Sequence, residues 1–199
     1  MRKREEIVPI ILAAGSSEPL PFPKALARFG RKTALQIAVD NCATVGPLIV
    51  VLGCNATRIL RGAPKSARIV INLKWREGQL SSLQRALESM RNKDAAFLIY
   101  PVDHALIRRT TVMMLVRAFR ARSASEEIVM PRHKGAYGHP VIVSAAVRPE
   151  FFQTTTAREV MYRLPERIRV LEVRTSSIFE DFSTPESYEA CRRKFANRR

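Results

Sequence analysis

Ile7-Val-Pro-Ile-Ile-Leu-Ala-Ala-Gly15-Ser-Ser17, closed by Phe22-Pro23-Lys24, is the stretch on which the fold turns. A continuous apolar run bounded by a small-residue turn fits a strand buried on both faces better than one with a wet side. Residues 13–24 then read as a Gly- and Pro-rich loop. Small residues after a strand let backbone N–H groups approach a phosphate, and a lysine adds a mobile positive charge. Ala-Ala-Gly alone is a weak signal; Pro-Lys ending nine residues after Gly15 makes it informative.

The same run, preceded by Met1-Arg-Lys-Arg4, has the outline of a short secretion signal. Glu5 and Glu6 interrupt its basic part and Pro9 its apolar part, so a buried first strand accounts for it better. No apolar run approaches the roughly 20 residues of a membrane helix, and no membrane partner is expected.

Outward from this start, strand-like and helix-like patterns alternate. Strands are expected at residues 7–12, 47–53, 67–72, 95–100, 127–130, 141–143 and 168–173. Helices are expected from Thr33 through Cys42, from an Asn55 cap to near Gly62, and at 81–90, 109–121, 156–164 and 184–194. That alternation predicts one α/β domain over residues 1–199, with a mostly parallel central sheet. Ligands of such sheets bind beyond the carboxyl ends of the strands, near a switch in strand order. Segments 13–24, 72–82, 101–105 and 131–140 therefore hold the candidates.

The net charge of +16, from 34 basic against 18 acidic residues, favours anionic partners or is simply a solvated basic surface. Residues 192–199 form the densest basic cluster and suit the end of a helix. Aromatic and basic residues do not interleave, so a nucleic-acid partner is not expected. Cys42, Cys54 and Cys191 are odd in number and in no metal spacing, which fits a reducing cytoplasm.

Five segments in order carry a family resemblance. Leu12-Ala-Ala-Gly15, Ser16 or Ser17, Pro23 and Lys24 are similar to Leu-Ala-Ala-Gly-x-x-Ser-x-Arg-Met-Gly-x-Pro-Lys. Asn72-Leu-Lys-Trp75-Arg-Glu-Gly78-Gln-Leu-Ser81-Ser82-Leu83 resembles Asn-x-x-Trp-x-x-Gly-x-x-Ser-Ser-Leu. Asp103 falls at an Asp-Gln-Pro, Gly138-His-Pro-Val141 at a Gly-His-Pro-Val, and Asp181-Phe-Ser-Thr-Pro-Glu-Ser-Tyr188 at a closing Asp-x-Asp-Thr-Pro-Glu-Asp-Tyr. Together they resemble the MobA-like NTP transferases, and the molybdenum-cofactor cytidylyltransferase branch in particular.

The resemblance implies a three-layer, Rossmann-like fold of the nucleotide-diphospho-sugar-transferase type. It also implies Mg²⁺-dependent transfer of NMP, CTP being the favoured donor, to a phosphorylated acceptor such as molybdopterin cofactor. Such chemistry asks for positioning and charge neutralisation more than covalent help. By resemblance Leu12, Ala13, Ala14, Gly15, Ser16, Ser17 and Lys24 hold the phosphates; Gly78, Ser81 and Ser82 line base and ribose. Lys24 and Asp103 are the catalytic pair, Asp103 and Asp181 the metal ligands, and His139 touches the acceptor. The same residues have plainer readings: Asp103 as a cap of the helix at 109, Asp181 as a turn residue, Ser81 and Ser82 as a helix start, His139 as structural, Trp75 as core packing.

The departures fall on the loop. Pro19 and Pro21 stand at the family Arg and Gly, beside Glu18, and Ser183 replaces the second Asp of the closing motif. Prolines donate no backbone hydrogen bond. Losing a cation and an N–H costs roughly 3–6 kcal/mol of phosphate binding unless another basic residue substitutes. The alternative reading is therefore a catalytically impaired member that binds a nucleotide or cofactor.

Overall fold

The computed structural model describes residues 5–198; residues 1–4, and Arg199 at the end of the basic cluster 192–199, lie outside the described residues. In chain order the elements are β1 (Ile7–Ala13), β2 (Arg28–Phe29), β3 (Lys32–Thr33), α1 (Ala34–Cys42), β4 (Ile49–Leu52), α2 (Ala56–Leu60), β5 (Arg68–Ile71) and α3 (Gln79–Ser89). Then come β6 (Ala96–Pro101), α4 (Arg109–Arg120), β7 (Ile128–His133), β8 (Ala136–Tyr137), β9 (Val141–Val143), α5 (Ala157–Tyr162), β10 (Ile168–Glu172) and α6 (Pro185–Ala196).

The main sheet runs β10-β7-β9-β6-β1-β4-β5, with β8 appended to β7. β6, β1, β4 and β5 are parallel, as are β7 and β10; β9 runs antiparallel between β6 and β7. The α/β, mostly parallel architecture holds, with β9 and β8 as its antiparallel members.

Every residue of β1 is buried. Ile7, Ile11 and Ala13 pack with α1, α4 and α6 on one face; Val8, Ile10 and Leu12 pack with α3 and α5 on the other. Two separate apolar layers on one central strand make the three-layer sandwich. Pro9 is tolerated inside this strand because β4 pairs only from Ile10 onward, leaving Leu98 of β6 as its cross-strand partner.

The helices begin where capping chemistry puts them. Thr33 and Thr184 each form a capping box, with Gln36 and Ser187, and Thr156 accepts from the Glu159 amide. Asn55 departs from its expectation. It precedes α2 but sits in the left-handed region at φ 59° with no side-chain cap, and its amide nitrogen donates to Cys54 Sγ. The helix expected at 81–90 starts earlier, at Gln79. Gly78 occupies its N-cap at φ 98°, a backbone state suited to glycine.

The chain leaves β1 for β4 and β5 on one side, then returns to β6 on the other. The reversal falls between β1 and β6, so the crevice beyond Ala13 and Pro101 is the switch point of the sheet. Among the described residues no helix is long and apolar enough to cross a membrane.

Candidate active site

A cavity of about 610 Å³ opens at that switch point. One wall is the turn after β1. The Ala14 carbonyl accepts from Cys54 N at 2.8 Å and Leu12 O from Val102 N at 3.1 Å, tying the turn to the ends of β4 and β6. Gly15 N–H has no partner among the described residues, and a β-carbon on Gly15 would meet nothing within 4 Å. Ser17 is buried and closes the loop: its Oγ accepts from Lys24 N at 2.7 Å and its carbonyl from Leu20 N at 2.8 Å. Ser16 Oγ accepts from Glu18 N at 3.3 Å.

Lys24 and Asp103, remote in sequence, meet here. Lys24 Nζ lies 3.0 Å from Asp103 Oδ2, with the side chains 19% and 22% exposed, enough for solvent or a ligand to reach both. Asp103 does not cap α4, whose N-cap position is Arg108 with no side-chain bond. Behind Asp103 a buried network fixes the loop. Asn41 Nδ2 donates to Tyr100 Oη at 3.2 Å and to Ile107 O at 2.9 Å, and Tyr100 Oη donates to His104 O at 3.2 Å.

The opposite wall comes from the segment before α3. Trp75, Arg76, Gly78, Gln79 and Ser82 border the cavity. Trp75 is pressed on Gly53, where a β-carbon would sit 2.7 Å from both Trp75 Cβ and the Ala14 carbonyl. Of the residues expected to bind nucleotide, Leu12 to Ser17, Lys24, Gly78 and Ser82 border this cavity. Ser81 does not. Its Oγ donates toward the carbonyls of Lys74 and Gly78 and accepts from Asn72 Nδ2 at 2.9 Å, which also reaches Ser82 Oγ at 3.0 Å. Ser81 folds the wall rather than facing the space.

Asp181 is exposed and borders no described cavity, but both it and Asp103 act electrostatically on the His104 ring. Asp181 O accepts from Cys191 Sγ, and Ser183 N donates to Ser187 Oγ at 3.0 Å.

His139 borders a second cavity of about 550 Å³, which shares Gly78 and Gln79 with the first. His104 and His139 stack edge-on, centroids 5.1 Å apart, and the Nδ1 atom of each is buried without a hydrogen-bond partner. Burial, together with the neighbouring His104 and against the pull of Asp103, pushes His139 down to about 4; burial likewise lowers His104. Both rings are neutral near pH 7. Tyr137, Tyr162 and Phe179 line the same space. His139 N donates to Ile178 O at 2.7 Å, and a β-carbon on Gly138 would collide with that carbonyl, which accounts for the Gly-His-Pro sequence. Gln79 and the three aromatics escape a reading of sequence, since they converge from four segments. Arg76 was visible between Trp75 and Glu77, in a segment already singled out.

Comparison with known proteins agrees. Residues 9–168 match the MobA-like NTP transferase domain. The chain is 28% identical over 188 residues to nicotine blue oxidoreductase of Paenarthrobacter nicotinovorans, covering 89% of this chain and 92% of that protein. Rv0371c from Mycobacterium tuberculosis H37Rv superposes with a TM-score of 0.80 at 23% identity, over 96% of this chain and 100% of that one. Its complex with manganese gives a TM-score of 0.75 at 21% identity, over 94% and 98%. CMP:2-keto-3-deoxy-manno-octonic acid synthetase, complexed with CTP, gives 0.75 at 14% identity over 96% and 98%. A match spanning most of the chain, over the sheet and the switch point described above, places this protein in the MobA-like NTP transferase domain family.

Proposed function

We propose that this single-domain chain is a divalent-metal-dependent nucleotidyltransferase of the cytoplasm. It moves NMP, with CMP favoured, from an NTP to a phosphorylated acceptor such as molybdopterin cofactor and releases pyrophosphate. The observation that carries this reading is the convergence of Gly15, Lys24 and Asp103 on one cavity at the switch point.

The donors suit a hard cation. Asp103 offers carboxylate oxygen at the cavity edge and Asp181 is near enough to act on the same His104 ring; no cluster of three His, Cys, Asp or Glu side chains exists among the described residues. Mg²⁺ needs only one or two carboxylates when substrate phosphates complete its shell. Bound there, the ion would neutralise phosphate charge. The chain's own groups do the rest. Free amides of the Gly15 turn receive phosphate oxygens, and Lys24, released from Asp103 as the nucleotide arrives, follows them. An acceptor phosphate oxygen seated from the His139 cavity attacks the α-phosphorus; the bond to the bridging oxygen breaks and pyrophosphate leaves with its electron pair. His139 and His104, being neutral, position the acceptor by hydrogen bonding.

The loop supports a second reading. Glu18 brings a negative charge to the cavity edge, and Pro19 and Pro21 offer no N–H. A member so altered would bind nucleotide or cofactor without transfer, and the relative named an oxidoreductase points to chemistry other than transfer on such a chain. The deciding experiment incubates purified protein with each of the four NTPs, Mg²⁺ or Mn²⁺ and candidate phosphorylated acceptors, and measures pyrophosphate. Acceptor-dependent release supports the transferase; NTP binding with no release under any acceptor supports the binding module.

A further inference from the structure

Two cations border the switch-point cavity, and the fold has already occupied one of them. Lys24 is held on Asp103, while Glu18 adds a second negative charge to the rim. Against a polyanionic ligand this leaves Arg76 as the uncommitted positive charge. Arg76 has no acidic partner among the described residues, because the nearby Glu77 pairs with Lys74 at 3.9 Å. Its guanidinium carbon lies 4.4 Å from the centroid of the Trp75 ring. The root of that ring is anchored, since Trp75 Cβ and Cγ lie so close to Gly53 that a β-carbon there would sit 2.7 and 2.9 Å from them. A guanidinium stacked on an indole keeps its N–H donors at the edge of the plane, where they can take phosphate oxygens two at a time.

We propose that Arg76, presented on the indole of Trp75, grips the phosphate chain of the incoming nucleotide in place of a cation on the 18–23 loop. This rests on the nucleotide-binding reading above. It makes Arg76 a binding residue that contacts substrate, and Trp75 and Gly53 the platform that positions it.

The test uses the protein's own fluorophore, since Trp75 is the sole tryptophan of the chain. Wild type, Arg76→Ala and Arg76→Lys are titrated with Mg²⁺ and the preferred NTP, then with its di- and monophosphate, by tryptophan fluorescence and in parallel by calorimetry. Because Arg76 is exposed, the variants should melt as wild type does. Arg76→Ala is expected to weaken the triphosphate by about 10- to 100-fold. The penalty should shrink as phosphates are removed, and Arg76→Lys should lose less. An unchanged affinity in Arg76→Ala overturns the proposal, as does an equal penalty for all three nucleotides, which would put Arg76 on the base or sugar. If wild type binds no NTP at all, it is the nucleotide reading that fails.

Discussion

The two cavities meet at Gly78 and Gln79, yet their linings differ in kind. In the first, Lys24 and Asp103 stand within reach of one another and of solvent, with an N–H of the Gly15 turn left open. In the second, two neutral imidazoles and three aromatic rings share the lining with Glu77 and Arg158, which stand apart rather than as a close pair. A phosphate chain is met by charges that can change partners. Whatever enters the other side meets ring faces and the uncharged nitrogens of two imidazoles, with Arg158 over the Tyr162 ring. The orphaned Nδ1 atoms of His104 and His139 each cost about 1–3 kcal/mol while unpaired. A ligand that pairs them recovers that cost, so on the proposed reading this half sets the specificity for the acceptor.

The comparison breaks most easily at Asp103. Asp103→Asn should lower pyrophosphate release by about 10²- to 10⁴-fold while leaving metal-free nucleotide binding intact or tighter, because Lys24 is freed. Steady-state assay and calorimetry check both halves; unimpaired turnover would remove the charged cavity from the chemistry.

Gly53→Ala attacks the platform and the adjoining Gly15 turn together. The new methyl meets the Ala14 carbonyl and Trp75, so it should destabilise the fold by about 1–3 kcal/mol in urea denaturation. NTP affinity should fall with acceptor binding unchanged, and equal losses on both sides would mean that the cavities are not separate.

His139→Phe tests the other side. Acceptor KM should rise by roughly tenfold, the value of one neutral hydrogen bond, with NTP affinity unmoved. A loss of NTP affinity instead would merge the two sites.

The smallest effect concerns pH. His139 sits near 4 when folded, against about 6.5 unfolded. The unfolded chain therefore takes up the proton first, and stability present above pH 6.5 is lost progressively as pH falls toward 4. Burial gives His104 the same sign. Urea midpoints between pH 7 and 4.5 should fall accordingly, and NMR titration should find the His139 ring neutral at pH 6. A midpoint near 6.5 for that ring would show that the second cavity is wet.

Much of this was legible in the chain itself, for identifiable reasons. The first strand and its loop could be read because burial on both faces leaves no polar position, and because Lys24 ends the loop after a fixed interval. Asp103 could be placed because it follows an apolar strand. The direction of β9 was hidden, as three valine and isoleucine residues carry no sign of orientation. The β2–β3 hairpin was hidden too: its strands are two residues each and too short for periodicity. The family resemblance puts Ser81 at the ligand, while its bond to Asn72, nine residues away, leaves no pattern in the sequence. The aromatic lining of the second cavity had no local signal at all.

One contact at the far end of the chain bears on how the protein is made. Tyr188 Oη donates to Arg28 O at 2.9 Å and accepts from Arg28 N at 3.1 Å, while its ring packs on Phe22 and Phe29. The stretch that carries Lys24 is thus clasped by α6, which the ribosome delivers more than 150 residues later. A nascent chain can lay down β1 and its neighbours early, but the loop that carries Lys24 waits for the last helix, so truncated translation products should be left without an ordered switch-point cavity.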